Sequence, residues 1–235
     1  MCHHDDKNYT VHFVQKAGAF RAAAELGVVL VAPDTSPREL PEELKGDSWD
    51  FGEGAGFYLN ATTDGYKDHF NMYSYITEEL IQSLEKELSD AIDISKRSIM
   101  GHSMGGLGAL NIGLKASKGT WSSISAFAPI CNPSSENCPW GTKAFTGYLK
   151  TKEEWSAYDP CILAKGIDHD VDILVDQGTK DQFLSQLLTD NFKEVTGQNQ
   201  HVNAEIRMQE GYDHSYFFIS SFVEDHLRFH AKHLQ

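Results

Sequence analysis

No apolar run in this 235-residue chain approaches the roughly 20 residues that a helix needs to cross a bilayer. The start, Met1-Cys2-His3-His4-Asp5-Asp6, is polar and acidic where a secretory signal would be basic and then apolar. Neither a membrane span nor a cleaved leader is expected, and the cytoplasm is the expected compartment. Positive charge is also short: 20 Lys and Arg stand against 34 Asp and Glu, a formal net charge of −14. A broad negative field repels polyanions, which argues against nucleic acid or an anionic membrane surface as partner. Cysteine is scarce. Cys2, Cys131, Cys138 and Cys161 fall at no metal-ligand spacing and are too few for a disulfide scaffold, so reduced thiols are expected. The adjacent His3 and His4 read as solvated residues of a polar terminus, and no metal is expected. Internal repeats and low-complexity tracts are missing too, which removes solenoids and propellers.

What is present suits one soluble domain over residues 1–235, with 40% hydrophobic residues to fill a core. Short runs rich in β-branched residues alternate with helical patterns. Residues 28–32, stopping at Pro33-Asp34, read as a strand buried on both faces. Ile76, Leu80, Ile81, Leu84 and Leu88 recur at the spacing of one helix face. Further strands are expected at 97–100, 122–130, 171–175 and 203–208, and further helices at 105–115, 184–195 and 217–233. That alternation marks an α/β fold with a mostly parallel sheet and helices on both faces. Between 132 and 170 the pattern weakens, and the stretch reads as a cap-like excursion that walls a cleft.

Gly101-His102-Ser103-Met104-Gly105 has the Gly-x-Ser-x-Gly form of a nucleophile elbow, and it follows a strand-like run and opens a helix, the context the motif requires. The glycines allow strand and helix to pass closely around a strained turn. The helix beginning at Met104 offers free backbone N–H groups to a developing oxyanion. The alternative is a glycine-rich turn that only tightens a strand–helix join. A serine hydroxyl is a weak nucleophile and needs a histidine base held by an acid. In this fold both come later in the chain, on loops after strands. Asp181 follows the strand at 171–175, and His214 follows the last strand. Asp176 and Asp213 also lie near strand ends and remain alternatives. His102, one of 11 histidines, reads as a packing residue beside the serine rather than as the base.

The segments Ala32-Pro33-Asp34-Thr35-Ser36-Pro37-Arg38, Ser48-Trp49-Asp50-Phe51-Gly52, Gly54-Ala55-Gly56-Phe57-Tyr58, Gly101-His102-Ser103-Met104-Gly105-Gly106, Ser125-Ala126-Phe127-Ala128-Pro129-Ile130-Cys131-Asn132-Pro133, Cys138-Pro139-Trp140-Gly141 and Gly211-Tyr212-Asp213-His214-Ser215-Tyr216 together resemble S-formylglutathione hydrolase, also called esterase D. The resemblance runs from about Phe13 to Leu234. It implies an α/β-hydrolase fold and hydrolysis of S-formylglutathione to formate and glutathione, with side activity on small aryl and alkyl esters and no cofactor. Carried over by motif, Ser103 is the nucleophile, Asp181 the acid, His214 the base, and the Met104 backbone N–H an oxyanion donor. Trp140 is either part of the cleft wall or a packed structural tryptophan. A homodimer is compatible with this reading.

Members of that family carry further N-terminal residues, with the first strands and a Leu-Ser-Gly-Leu-Thr-Cys loop whose backbone N–H supplies half the oxyanion hole. Residues 1–12 match this poorly, and Cys2 receives no role. The expectation is a sheet with its N-terminal strands missing. Its vacated position would lie between the strand at 28–32 and the strand before Ser103. Residues 9–14 have some β character but are too short to be expected to refill it. Losing one oxyanion donor costs roughly a hundredfold to a thousandfold in turnover. Two functions are therefore weighed: an acyl-serine thioesterase, and an inactive truncated variant that acts only as an interaction or regulatory chain. Acyl transfer to an alcohol with the same triad is a third, weaker reading.

Overall fold

Four strands, β1 (Ile99–His102), β2 (Ile124–Phe127), β3 (Val171–Gly178) and β4 (Val202–Gln209), form one parallel sheet in the order β1-β2-β3-β4. This is the arrangement in a computed structural model that describes residues 9–235; Cys2, His3 and His4 lie outside the described residues. The helices in chain order are α1 (Tyr9–Lys16), α2 (Phe20–Leu26), the single turn α3 (Met72–Ser74), α4 (Leu80–Leu88), α5 (Met104–Lys115), α6 (Pro139–Tyr148), α7 (Pro160–Lys165), α8 (Leu184–Leu187), α9 (Thr189–Gln198) and α10 (Tyr216–His233). Among the described residues no helix is long and apolar enough to cross a membrane.

The strand period of two divides the core. Ile124 and Ala126 of β2, with Ile173 and Val175 of β3, pack with Leu110 and Leu114 of α5, Ala164 of α7 and Phe192 of α9. Phe127 of β2 faces the other way, onto Phe218 of α10, and α10 in turn packs on α2. Helices thus cover both faces, as parallel strands require when each face must be kept dry.

Several expected elements differ. Among the described residues, 28–32 pair with no strand: Val28 and Leu30 pack on the core while Val29 and Val31 are exposed. Their β propensity is not realised because a strand needs a partner for its backbone groups, and a groove of about 2000 Å³ separates this segment from β1. The groove is lined by Val28 to Ala32, by Ile99 and Met100, and by Ile76, Leu80, Ile81 and Leu84. Among the described residues β1 is an edge of the sheet, with this groove beside it. Residues 9–14 are helical within α1 rather than extended. The expected helix at 184–195 breaks at Leu188, whose φ of 59° ends α8 and starts α9. The 132–170 stretch is a packed part of the body: Phe145, Tyr148, Trp155 and Tyr158 from it are buried in the core. Tyr148 stacks on Phe51 and Phe70, and its hydroxyl accepts from the Gly52 N–H and donates to the Ala55 carbonyl.

One polar network runs through the face under α10. Arg207 grips Asp176 with two hydrogen bonds of 2.7 and 2.6 Å. His226 Nε2 meets the same carboxylate at 3.1 Å, and its Nδ1 meets Ser125 Oγ at 2.8 Å. Ser125 Oγ meets His230 Nε2 at 2.7 Å, His230 Nδ1 meets Ser123 Oγ at 2.8 Å, and Ser123 meets Ser98 at 2.8 Å. With Asp176 ionised and both imidazoles neutral, Ser123, His230, Ser125 and His226 each donate once and accept once, in a single direction that starts at the Ser98 hydroxyl and ends on the Asp176 carboxylate. Burial pushes the Asp176 carboxyl up, but the hydrogen bonds from His226, Arg207 and Gln209 outweigh it and hold the group down at about 2. Burial holds His230 down at about 3 and lowers His226 as well.

An unfolded chain binds protons at these histidines below about pH 6.5, whereas the folded chain refuses them. Stability is therefore expected to fall as pH drops from about 6.5 toward 3, and Asp176 adds a further loss below about 4. Each histidine contributes at most about 1.4 kcal/mol per pH unit. Urea melts of His230→Gln should show a shallower decline between pH 6.5 and 4.5 than the parent; parallel declines would refute the assignment.

Candidate active site

Ser103 sits between β1 and α5 at φ 56°, ψ −115°, a conformation that costs a non-glycine residue strain. Three backbone bonds hold it there. Its N–H donates to the Phe127 carbonyl at 2.9 Å, and its carbonyl accepts from Leu107 at 3.0 Å and Ile130 at 3.3 Å. Gly101 and Gly106 are required by space, whereas a Cβ on Gly105 would meet only the Tyr58 hydroxyl at 3.9 Å. A Cβ on Gly101 would stand 2.0 Å from the Gly105 carbonyl oxygen, and one on Gly106 would stand 2.8 Å from Pro129 Cβ. Met104 opens α5, so its N–H is one of the first four that have no carbonyl partner within the helix.

The loops after β3 and β4 are clamped together. Lys180 N–H donates to the Tyr212 carbonyl at 2.9 Å, and Thr179 N–H to the Gln209 carbonyl at 3.0 Å. This brings Asp181 to His214, with Oδ2 and Nδ1 at 2.6 Å. Asp181 is 6% exposed, and its Oδ1 accepts from the Phe183 N–H at 2.8 Å. Because the carboxylate can only accept, Nδ1 of His214 carries the proton, leaving Nε2 free as an acceptor. Asp176, the alternative acid, is committed to Arg207 and His226; Asp213 is exposed and accepts from the Ser215 N–H.

Ser103, Met104, Trp140, Phe183 and His214 line one cleft, continuous with the groove beside β1. Among the described residues Ser103 and His214 are not hydrogen bonded to each other. Such bonds in unliganded sites often tighten only when substrate arrives. His102 packs against the base, its ring centroid 4.5 Å from that of His214. Burial, and then the neighbouring His214, hold His102 well below the ordinary imidazole range, so it is neutral at pH 7 and adds no charge beside the base. Phe183 stands edge-on to His214 at 5.1 Å, and Trp140 stands edge-on to Phe183 at 5.1 Å. Trp140 is thus both packed and cleft-lining. Phe183 was not singled out from the sequence; its only signal is its place two residues after Asp181. Among the described residues no group of three or more His, Cys, Asp or Glu is placed to hold a metal, and Cys131, Cys138 and Cys161 are free and buried.

Residues 3–229 match the model of the Esterase family, described as "Putative esterase". An S-formylglutathione hydrolase of Mus musculus is 51% identical over 227 residues, covering 95% of this chain and 78% of the relative. One of Arabidopsis thaliana is 49% identical over 229 residues, with the same coverage. The chain belongs to the S-formylglutathione hydrolase family. A solved S-formylglutathione hydrolase of Agrobacterium tumefaciens superimposes with a TM-score of 0.88 at 41% identity, covering all of this chain and 81% of that one. The α/β-hydrolase fold expected from the motifs is therefore shared with a solved member of the family.

The crowding at Gly101 separates a required glycine from a tolerated one. Gly101→Ala should lose more than about 2 kcal/mol in urea unfolding, because the atoms in its way are backbone. Gly197→Ala, on α9 with nothing within 4 Å, should be neutral or gain up to about 1 kcal/mol. Equal effects would show that the elbow is not tightly packed.

Proposed function

We propose that this chain hydrolyses S-formylglutathione to formate and glutathione through a formyl-serine intermediate, with Ser103 as nucleophile, His214 as base and Asp181 as the acid that orients it. The observation that carries the reading is the 2.6 Å contact between Asp181 Oδ2 and His214 Nδ1, in a cleft shared with a serine on a strained strand-to-helix turn. The substrate is taken from the relatives, which are named for that hydrolysis.

In the first half-reaction His214 Nε2 takes the Ser103 proton as Oγ attacks the formyl carbon. Charge develops on the carbonyl oxygen, where the Met104 N–H and the positive end of α5 stabilise it. The tetrahedral adduct collapses by breaking the C–S bond, and the glutathione sulfur leaves with the proton held by His214. A water then gives its proton to His214 and attacks the formyl-serine, releasing formate and restoring Ser103. Asp181 stays ionised throughout, holding the imidazole tautomer and stabilising the imidazolium. Phe183 and Trp140 give the cleft an apolar wall beside the base, which strengthens each of these charge interactions by limiting water. The chemistry needs no cofactor. An inactive, interaction-only chain finds no support in these relatives, which are named S-formylglutathione hydrolases.

Purified protein should release thiol from S-formylglutathione and react with a fluorophosphonate at Ser103. Ser103→Ala should lose both. Asp181→Asn should fold normally yet lose about 10⁴ in kcat by favouring the wrong tautomer of His214. Folded parent protein that is neither labelled nor active would refute the reading.

A further inference from the structure

The end of β3 carries a fully buried carboxamide that the mechanism above does not use. Gln177 is 0% exposed. Its Nε2 donates to Asp181 Oδ2 at 3.0 Å and to the Gly178 carbonyl at 3.2 Å, and its Oε1 accepts from Thr189 Oγ1 at 3.0 Å. Both partners of Nε2 are pure acceptors, so the amide cannot be flipped without setting oxygen against oxygen. Thr189 is itself aimed by a bend: the left-handed Leu188 before it turns the chain into α9. An amide from β3, steadied by Thr189 of α9, thus rests on one oxygen of Asp181, the same oxygen that meets His214.

We propose that Gln177, backed by Thr189, is a positioning residue that fixes the plane and reach of the Asp181 carboxylate toward His214; this rests on the catalytic roles given above. A side chain of this volume could be an aliphatic residue at far lower desolvation cost, since burying an amide is unfavourable unless each polar atom is partnered. Here the partners are the acid, its neighbouring backbone and Thr189. The terminal carboxylate torsion of an aspartate is broad and poorly restrained by its own chain. Without Gln177, only the Phe183 N–H on Oδ1 and His214 itself would hold Asp181. With it, Oδ2 is held from two sides and Oδ1 from a third, and the carboxylate meets the imidazole without first having to reorient.

The charged and titratable groups around this point are few. His102 of β1 and Asp213 of the His214 loop flank the imidazole, and the Cys131 thiol lies next to Thr189. Asp176, one residue before Gln177, turns to the opposite face and is held by Arg207 and His226. A carboxylate placed at 177 would therefore act mainly on Asp181 and His214.

The test measures the rate of fluorophosphonate labelling at Ser103 against pH, with thermal midpoints alongside, so that it does not depend on the natural substrate. Gln177→Leu should label about tenfold to a hundredfold more slowly at pH 8, the range seen when a partner that orients a metal-ligating histidine is lost. The isosteric Gln177→Glu sets a second carboxyl group against Asp181, where the two share one proton and titrate as a pair, so the labelling pH profile should change shape rather than superimpose on that of the parent. Should Gln177→Leu fail to fold, Thr189→Val, which loosens the amide without removing it, should give a smaller slowing. Variants that label at the parent rate with superimposable pH profiles, whatever their melting midpoints, would make Gln177 a packing residue and overturn the proposal. Parent protein that does not label at Ser103 would overturn the catalytic reading itself, and this inference with it.

Discussion

The backbone of Gly101 and the carbonyl of Gly105 approach so closely that a Cβ between them would stand 2.0 Å from the oxygen. That contact lets the chain reverse from β1 into α5 through one residue, Ser103, at φ 56°. The site depends on this turn. It places the serine at the carboxyl edge of the sheet, where the loops after β3 and β4 deliver Asp181 and His214, and it points the start of α5 toward the same place. The Phe127 carbonyl, which accepts the Ser103 N–H, ties the turn to β2. The rigidity of the elbow is thus inherited from the sheet rather than from the loop.

The end of β3 shows how burial sorts two chemically identical groups into different work. Asp176 and Asp181 are five residues apart and both buried. Asp176 faces α10, where Arg207, His226 and Gln209 saturate it, and its role is to hold the sheet to the helix. Asp181 lies beyond the strand and keeps a single side-chain acceptor site turned toward His214, flanked by Gln177. The acceptor sites of Asp176 are taken by Arg207, Gln209 and the buried His226, which leaves none for His214; Asp181, held by neutral N–H groups, keeps one.

The elbow was legible in the sequence because its chemistry is local: glycines, serine and the flanking strand and helix lie within a few residues. Asp181 and His214 were legible because the fold delivers them in a fixed order after strands, and the structure brings the two together as expected. The segment at 28–32 was misread because its β-branched residues report a preference, whereas a ladder also needs a neighbour, and on that side lies a groove. Residues 9–14, given only some β character from the sequence, are helical for the related reason that a short amphipathic run fits either period. The break at Leu188 carries no glycine or proline to announce it, since leucine there adopts a left-handed angle. The His226 and His230 network and the grip of Gln177 were invisible because their partners lie far apart in the chain, and only tertiary contact reveals them.

The central claim is that Ser103 carries the acyl group between two half-reactions. Rapid-quench mass spectrometry of the peptide containing Ser103, after mixing with p-nitrophenyl acetate, tests this most directly. An acetyl group on Ser103 that rises with a burst of nitrophenol and then decays with turnover, and that fails to form in His214→Ala, is the expected result. A burst with Ser103 unmodified, or with the acetyl group on another residue, would contradict it.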